Sequence, residues 1–331
     1  MPKLISDDLR WGAGEPMRPP APKRLRRDWS GALVGLCIGL AGLALTRLGW
    51  LRIQLDVFSA FTIQAAILAL ASFLGLLLPR FKTLAASVLF VLGIVAYGLW
   101  PSLQVAADDA VPDGAKRIRI ATFNIDDEDG HAAPRLASIE KLDADIIVLT
   151  EYDGSDADFV SGIAKLYPHL LACDQSIGCD VALASRYPLV LQNGYSGIQG
   201  PNAVAARLGP DYANLLIVGV HASHVPNTTL QFEELSALSK RLGTEQGPMI
   251  VTGDFNATSQ SRLVQDFGKS LDLTQTATLP TFPTYFGLPQ LAIDQMMVSS
   301  GIVKLGPQTG GSAAGSDHIP IARSFAIPTS R

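Results

Sequence analysis

Residues 248–256 read PMIVTGDFN. A short apolar run of branched residues, bounded by Pro248 and Gly253, has the signature of a buried strand. It ends on Asp254 and Asn256. One polar strand end is ordinary, because turns and caps need such residues. The reading turns on whether other strands end in the same way.

They do. RIRIATFNI (117–125) ends near Asn124, ADIIVLTE (144–151) at Glu151 and NLLIVGVH (214–221) at His221. LAIDQMMVS (291–299) carries Asp294 near its start, and GSDHIPI (315–321) offers Asp317 and His318 just before its own apolar run. DVALASR (180–186) is a further strand. HAAPRLASIEKL (131–142) and TTLQFEELSALSKRLG (228–243) have helical spacing, the second closing on Gly243. Apolar runs interleaved with helices predict an α/β domain with well-buried sheets. Ligands bind at strand ends in open α/β sheets. Six ends that mix carboxylates, amides and imidazoles point to chemistry rather than to turn-making.

Oxygen ligands of this kind suit magnesium or manganese. Such an ion polarises a phosphoryl oxygen. A further Asp can take the proton of an attacking water, and a carboxylate-held imidazole can stay protonated beside a phosphate. An Asn side chain can donate to a charge-rich transition state. The combined chemistry is attack of water on a phosphate ester.

The rest of the chain is apolar. Its 331 residues have a mean hydropathy of +0.25, too high for an ordinary soluble protein. Trp29–Thr46, Val57–Pro79 and Thr83–Trp100 contain no Asp, Glu, Lys or Arg over 18, 23 and 18 residues. About 20 helical residues cross the hydrocarbon core, so three transmembrane helices are expected. The first run starts late and two more follow, unlike a cleaved signal peptide. RPPAPKRLRR (18–27) holds five Arg or Lys and no acid, and Arg80 and Lys82 lie between the second and third runs. Both places should be cytoplasmic, although Arg47 and Arg52 sit in the loop after the first run with Asp56. Everything after Trp100 should then be extracytoplasmic, periplasmic for an inner-membrane protein.

The expected organisation is a disordered basic tail (1–28), three transmembrane helices (29–100), a linker (101–115) and a catalytic domain (116–331). That domain holds 15 Lys or Arg against 22 Asp or Glu, a net of −7. A grip on duplex backbone usually shows as a basic face. Cys173 and Cys179 flank CDQSIGC and are either a hairpin disulfide or two free thiols. The run Asp126, Asp127, Glu128, Asp129 is read as a solvated loop at the rim of the site. His131, His169 and His224 are read as surface or loop histidines. Arg186 and Arg207 are the basic residues expected nearest a phosphate, with a surface ion pair as the alternative for either.

TFNI, LTEYD, GVHASH, TGDFN, AIDQMMVS and SDHIPI, in this order, resemble the signature of the endonuclease/exonuclease/phosphatase superfamily, and ASRYPL matches another of its elements. The resemblance covers residues 116–331. It implies a four-layer α/β sandwich, two packed sheets flanked by helices. It implies that Glu151 is the principal ligand of a magnesium or manganese ion, with Asn124 and Asp317 completing the site. His221 and His318 would contact the phosphate, Asp294 would pair with His318, Asp254 would be the general base, and Asn256 would orient the water. The chain also departs from parts of the family. It has Asp153 where abasic-site repair members carry a Lys two residues after the metal-binding Glu, and TTLQFEEL lacks an Arg that many members carry.

A membrane-anchored hydrolase of a phosphate ester, with a lipid-linked phosphate or pyrophosphate as substrate, is therefore expected. Tethering raises the local concentration of such a substrate. A surface nuclease and an inactive ligand-binding module are the alternatives. The acidic balance argues against the first, and the intact set Asp254, Asn256, Asp317 and His318 argues against the second.

Overall fold

The computed structural model describes residues 29–78, 80–105, 109–126, 130–195 and 200–328. The expected basic tail (1–28) and Asp127, Glu128 and Asp129 of the acidic run lie outside the described residues.

Three apolar helices come first, α1 (Ser30–Leu45), α2 (Thr62–Leu77) and α3 (Lys82–Leu99). With their flanking turns they are long and apolar enough to cross a membrane. They approach closely through small residues, Gly39 against Ala69 and Gly75 against Ala86. The charge-free run from Val57 is not all α-helix. Ile53–Phe61 is a 3₁₀ segment that leaves the helices and packs on the following domain.

That domain contains β1 (Ala115–Asn124), α4 (Ala132–Leu142), β2 (Ile146–Thr150), α5 (Ala157–Leu166), β3 (His169–Ala172) and β4 (Val181–Ser185). The chain continues with β5 (Val190–Leu191), β6 (Asn202–Arg207), β7 (Leu216–His221), α6 (Thr228–Leu242) and β8 (Met249–Asp254). It finishes with α7 (Arg262–Ser270), β9 (Leu273–Gln275), β10 (Asp294–Ser299), β11 (Val303–Gly310) and β12 (Ile321–Pro328). One sheet runs β11-β12-β1-β2-β4-β3 and the other β5-β6-β7-β8-β10-β9.

Alternation along the strands builds the layers. In β1 and β2, Ile118, Ile120, Ile146 and Val148 face the second sheet and meet Val204, Ile217, Ile250 and Met296 in one core. Their neighbours Ala121, Phe123, Ile147 and Leu149 face outward under α4 and α5, against Ile139, Phe159 and Ile163. On the far side Val218 and Val251 pack under α6 and α7, against Leu238, Val264 and Phe267. Strands covered on both faces need apolar residues at every position, which is why they read as continuous runs. The result is the four-layer sandwich.

Cys173 and Cys179 are joined in a disulfide, resolving the two readings of that loop. The apolar helical segment is fastened to the domain by Asp56. Its carboxylate is buried and accepts from Ser261 Oγ, the Arg262 N–H at 3.0 Å and the Leu263 N–H. These are the free donors at the start of α7. Thr258 Oγ1 donates to the Ser59 carbonyl, and Gln54 donates to Thr229.

Candidate active site

Strand register assembles one row of side chains. In the second sheet His221 pairs with Asn202 in β6 and with Asp254 in β8, and Asp254 pairs with Asp294 in β10. In the first sheet Asn124 pairs with Thr150, and Thr150 with Val181. Glu151 and Asp180, the residues just beyond those two, therefore stand on the same edge. The turn before β12 delivers Asp317 and His318 there, held by Ser316 Oγ donating to the Asn124 carbonyl at 2.7 Å. All eight residues singled out in the sequence thus meet at one end of the sandwich.

Gly253 makes the approach of β8 possible. Its φ is +142°, and any side chain there would strike the Val220 carbonyl. Glu151 (φ +55°) and Asn256 (φ +49°) both hold left-handed backbone. Such residues persist only where the surroundings enforce them, and they cluster at functional sites.

Asp254 is at the centre, 1% exposed. Its Oδ1 accepts from the Asn256 N–H at 2.7 Å and its Oδ2 from Asn124 Nδ2 at 3.1 Å. Asn124 Nδ2 also donates to Glu151 at 2.8 Å, so one amide ties the two carboxylates together. Asn256 donates its own amide to the Ala222 carbonyl. His318 Nδ1 lies 2.7 Å from Asp294, and its Nε2 lies 3.7 Å from Asp254 and 3.9 Å from Asp317.

A second imidazole–carboxylate pair mirrors the first. His221 Nδ1 lies 2.8 Å from Asp180, and its Nε2 lies 3.8 Å from Glu151. Asp180 is steadied by Asn202 at 2.8 Å. Asp180 was not singled out in the sequence. It opens the DVALASR strand but belongs to none of the motifs that carried the family resemblance. Arg186 and Arg207 lie at the opposite ends of their strands, away from the site, and take the ion-pair alternative. Arg186 binds Asp143 at 2.8 Å and Arg207 binds Glu245 at 2.6 Å. His131 is not free surface either, because its ring lies against Gly315.

Burial lowers the pKa of both imidazoles, but their carboxylate neighbours outweigh it. Asp180, Asp254 and Glu151 push His221 up to about 9. Asp294, Asp254 and Asp317 push His318 up to about 10. Burial raises Asp254, opposed by the His318 charge and reinforced by that of Asp294. Burial also raises Asp317. Burial acts to raise Asp180 as well, but its hydrogen bond to His221 and the charge there hold it below the usual range.

The donor set fits a small hard cation. Glu151 and Asp254 each offer a carboxylate oxygen within 4.8 Å of each other, and Asn124 is hydrogen-bonded to both. Asp294 Oδ1 is buried and has no hydrogen-bond partner among the described residues. Asp254 and Asp317, whose pKa values burial raises, gain from a nearby divalent charge.

A buried carboxylate between two carboxylate-held imidazoles, at the strand ends of a two-sheet sandwich, is equipment for hydrolysing phosphate esters. Residues 121–318 match the sequence model of the Endonuclease/Exonuclease/phosphatase family. The chain belongs to that family and is a metal-dependent phosphoesterase. A solved family member from Bacteroides thetaiotaomicron has the same fold at 13% identity, with a TM-score of 0.50 over 64% of this chain and 96% of its own. Another, from Beutenbergia cavernae DSM 12333, is 17% identical, with a TM-score of 0.50 over 64% of this chain and 72% of its own. No curated protein sequence matches the chain.

Proposed function

We propose that this protein is a membrane-anchored, extracytoplasmic phosphoric ester hydrolase acting on a lipid-linked phosphate or pyrophosphate, with magnesium as its ion. One observation carries the reading. The catalytic domain is bonded to the ends of apolar helices, through Asp56 to α7 and through Gln64 and Ile94 to Gln290. The active site is therefore held close to where a bilayer surface would lie.

In this reading Glu151, Asn124 and Asp317 hold the ion, which when bound polarises the phosphoryl oxygen. Asp254 accepts the proton of the attacking water. Burial raises its pKa, which makes it a better base than an exposed Asp. Asn256 fixes one Asp254 oxygen and helps orient the water. His221 and His318 remain cationic at neutral pH and compensate charge building on the phosphoryl oxygens. Asp180 and Asp294 keep each imidazole in place and charged. The domain runs from about residue 116, after a linker that begins at Pro101.

The net charge of −7 across residues 116–331 weighs against a nuclease. So do Arg186 and Arg207, both engaged in ion pairs. The test is phosphate or nucleotide release by the full-length protein in lipid nanodiscs, with magnesium and with a chelator. The panel is a polyprenyl pyrophosphate, a phospholipid, a soluble phosphodiester and DNA. Chelator-sensitive turnover of the lipid phosphates is expected. Turnover of DNA alone would replace this reading with the nuclease.

A further inference from the structure

Between β9 and β10 the chain reads TFPTYFGLPQL (281–291). Phe282 and Leu291 bond to each other through their backbones and pinch off a loop. At its tip Phe286 is 100% exposed and Tyr285 is 67% exposed. Phe286 also has a φ of +62°, which a bulky aromatic residue rarely adopts. Two aromatic rings held out in water, one of them on unfavourable backbone, call for a cause outside the fold.

The loop is bonded on one side to the apolar helices. Gln290 donates its side-chain amide to the Ile94 carbonyl of α3 at 3.2 Å. Its own carbonyl accepts from Gln64, in the first turn of α2, at 2.6 Å. Leu288 lies against Gly98. Phe61 and Trp100, at the adjoining ends of α2 and α3, are each 54% exposed, as aromatic residues at a lipid–water boundary are. Two residues reach at most about 7 Å, so Phe286 stands beside that boundary.

On its other side the same loop is bonded to the active site. The Thr284 N–H donates to the Asp317 carbonyl, and Thr284 Oγ1 donates to the Ser316 carbonyl, each at 2.9 Å. A cleft of about 630 Å3 opens here, lined by Asp126, Thr284, Tyr285, Pro289, Gly315 and Asp317 among others. It is polar at Asp317 and aromatic at Tyr285.

We infer that residues 284–289 form a lip that enters the lipid interface. The cleft behind it receives the headgroup of an amphiphilic phosphate whose hydrocarbon chain stays in the bilayer beside Phe286 and α3. This rests on the proposed lipid-phosphate function and adds the route and the specificity element. The substrate is taken sideways from the membrane surface rather than from solution.

The test uses the full chain in liposomes. A nitroxide is placed at Phe286→Cys in a Cys37→Ala background, with the Cys173–Cys179 disulfide intact. Collision with oxygen is expected to exceed collision with a water-soluble nickel chelate. The reverse overturns the lip, whatever the substrate. In parallel, Phe286→Ser is assayed on a long-chain lipid phosphate in vesicles and on a short-chain, water-soluble analogue with the same headgroup. The ratio of the two kcat/KM values should fall at least tenfold, and an unchanged ratio overturns the role in lipid selection. If the unsubstituted protein cleaves only the soluble compound, the proposed function fails, and the nitroxide still decides separately whether the loop meets lipid.

Discussion

Asp254 is buried at the centre of the site, and its role can be tested by one substitution. Asn at this position keeps an oxygen to accept from the Asn256 N–H but cannot take a proton. Asp254→Asn is expected to cut turnover by about 10²–10⁴-fold, the usual worth of a general base. Its thermal unfolding should stay near that of the unsubstituted protein, and an unaffected rate would remove Asp254 from the role. The imidazoles make a second prediction, for the chelated protein. His318 titrates at about 10 when folded, above the ordinary value near 6.5. The folded state therefore binds the extra proton, and its stabilisation is complete below about pH 6.5 and lost as pH rises towards 10. The melting temperature should fall between pH 7 and 9.5 and fall less steeply in His318→Gln; equal slopes would refute the linkage. Eight of the site residues were legible because each adjoins an apolar run. Asp180 adjoins one as well, but it lies outside the family motifs, and which end of β4 shares an edge with His221 depends on the antiparallel pairing of β4 with β2.

At the scale of elements, helix α7 begins with an unusual cap. Ser261 accepts from the Leu263 N–H as an ordinary N-cap would. Asp56, 205 residues earlier, adds a buried carboxylate to the same helix end. Removing it leaves buried donors unpaired, at a cost of about 1–3 kcal/mol. Asp56→Ala should therefore lower the unfolding temperature of the full-length protein in detergent by several degrees. Asp56→Asn should lose less, since its oxygen still accepts. No change in either would mean that the apolar helical segment merely rests on the domain. In the sequence Asp56 counted only against the basic bias of its loop. A contact across 205 residues leaves no local periodicity, so hydropathy revealed the helices and not their seat. The disulfide was open for a similar reason, because two cysteines six residues apart fit either a bridge or a free turn until the hairpin of β3 and β4 is paired.

For the whole molecule, contact and parity make the same demand. The segment after α1 touches the catalytic domain through Asp56, Ser59 and Gln54. Where the three helices span a bilayer, it must then lie on the same side as residues 115–328. Three crossings satisfy this, because the chain is on the far side after α1 and again after α3. Losing one crossing at α2 or α3 would separate the two surfaces. With three crossings the turn between α2 and α3 would lie on the opposite side, where Lys82 donates to the Leu78 carbonyl and Arg80 adds a second positive charge. Single cysteines at Arg52, Lys304 and Arg80, each in a Cys37→Ala background, separate the possibilities. An impermeant maleimide applied to intact cells should label the first two, and should label Arg80→Cys only after permeabilisation. Labelling of Arg80→Cys alone in intact cells would invert the topology and place the active site in the cytoplasm. Opposite behaviour of Arg52→Cys and Lys304→Cys would mean that α2 or α3 does not cross, and the docking through Asp56 could not then form.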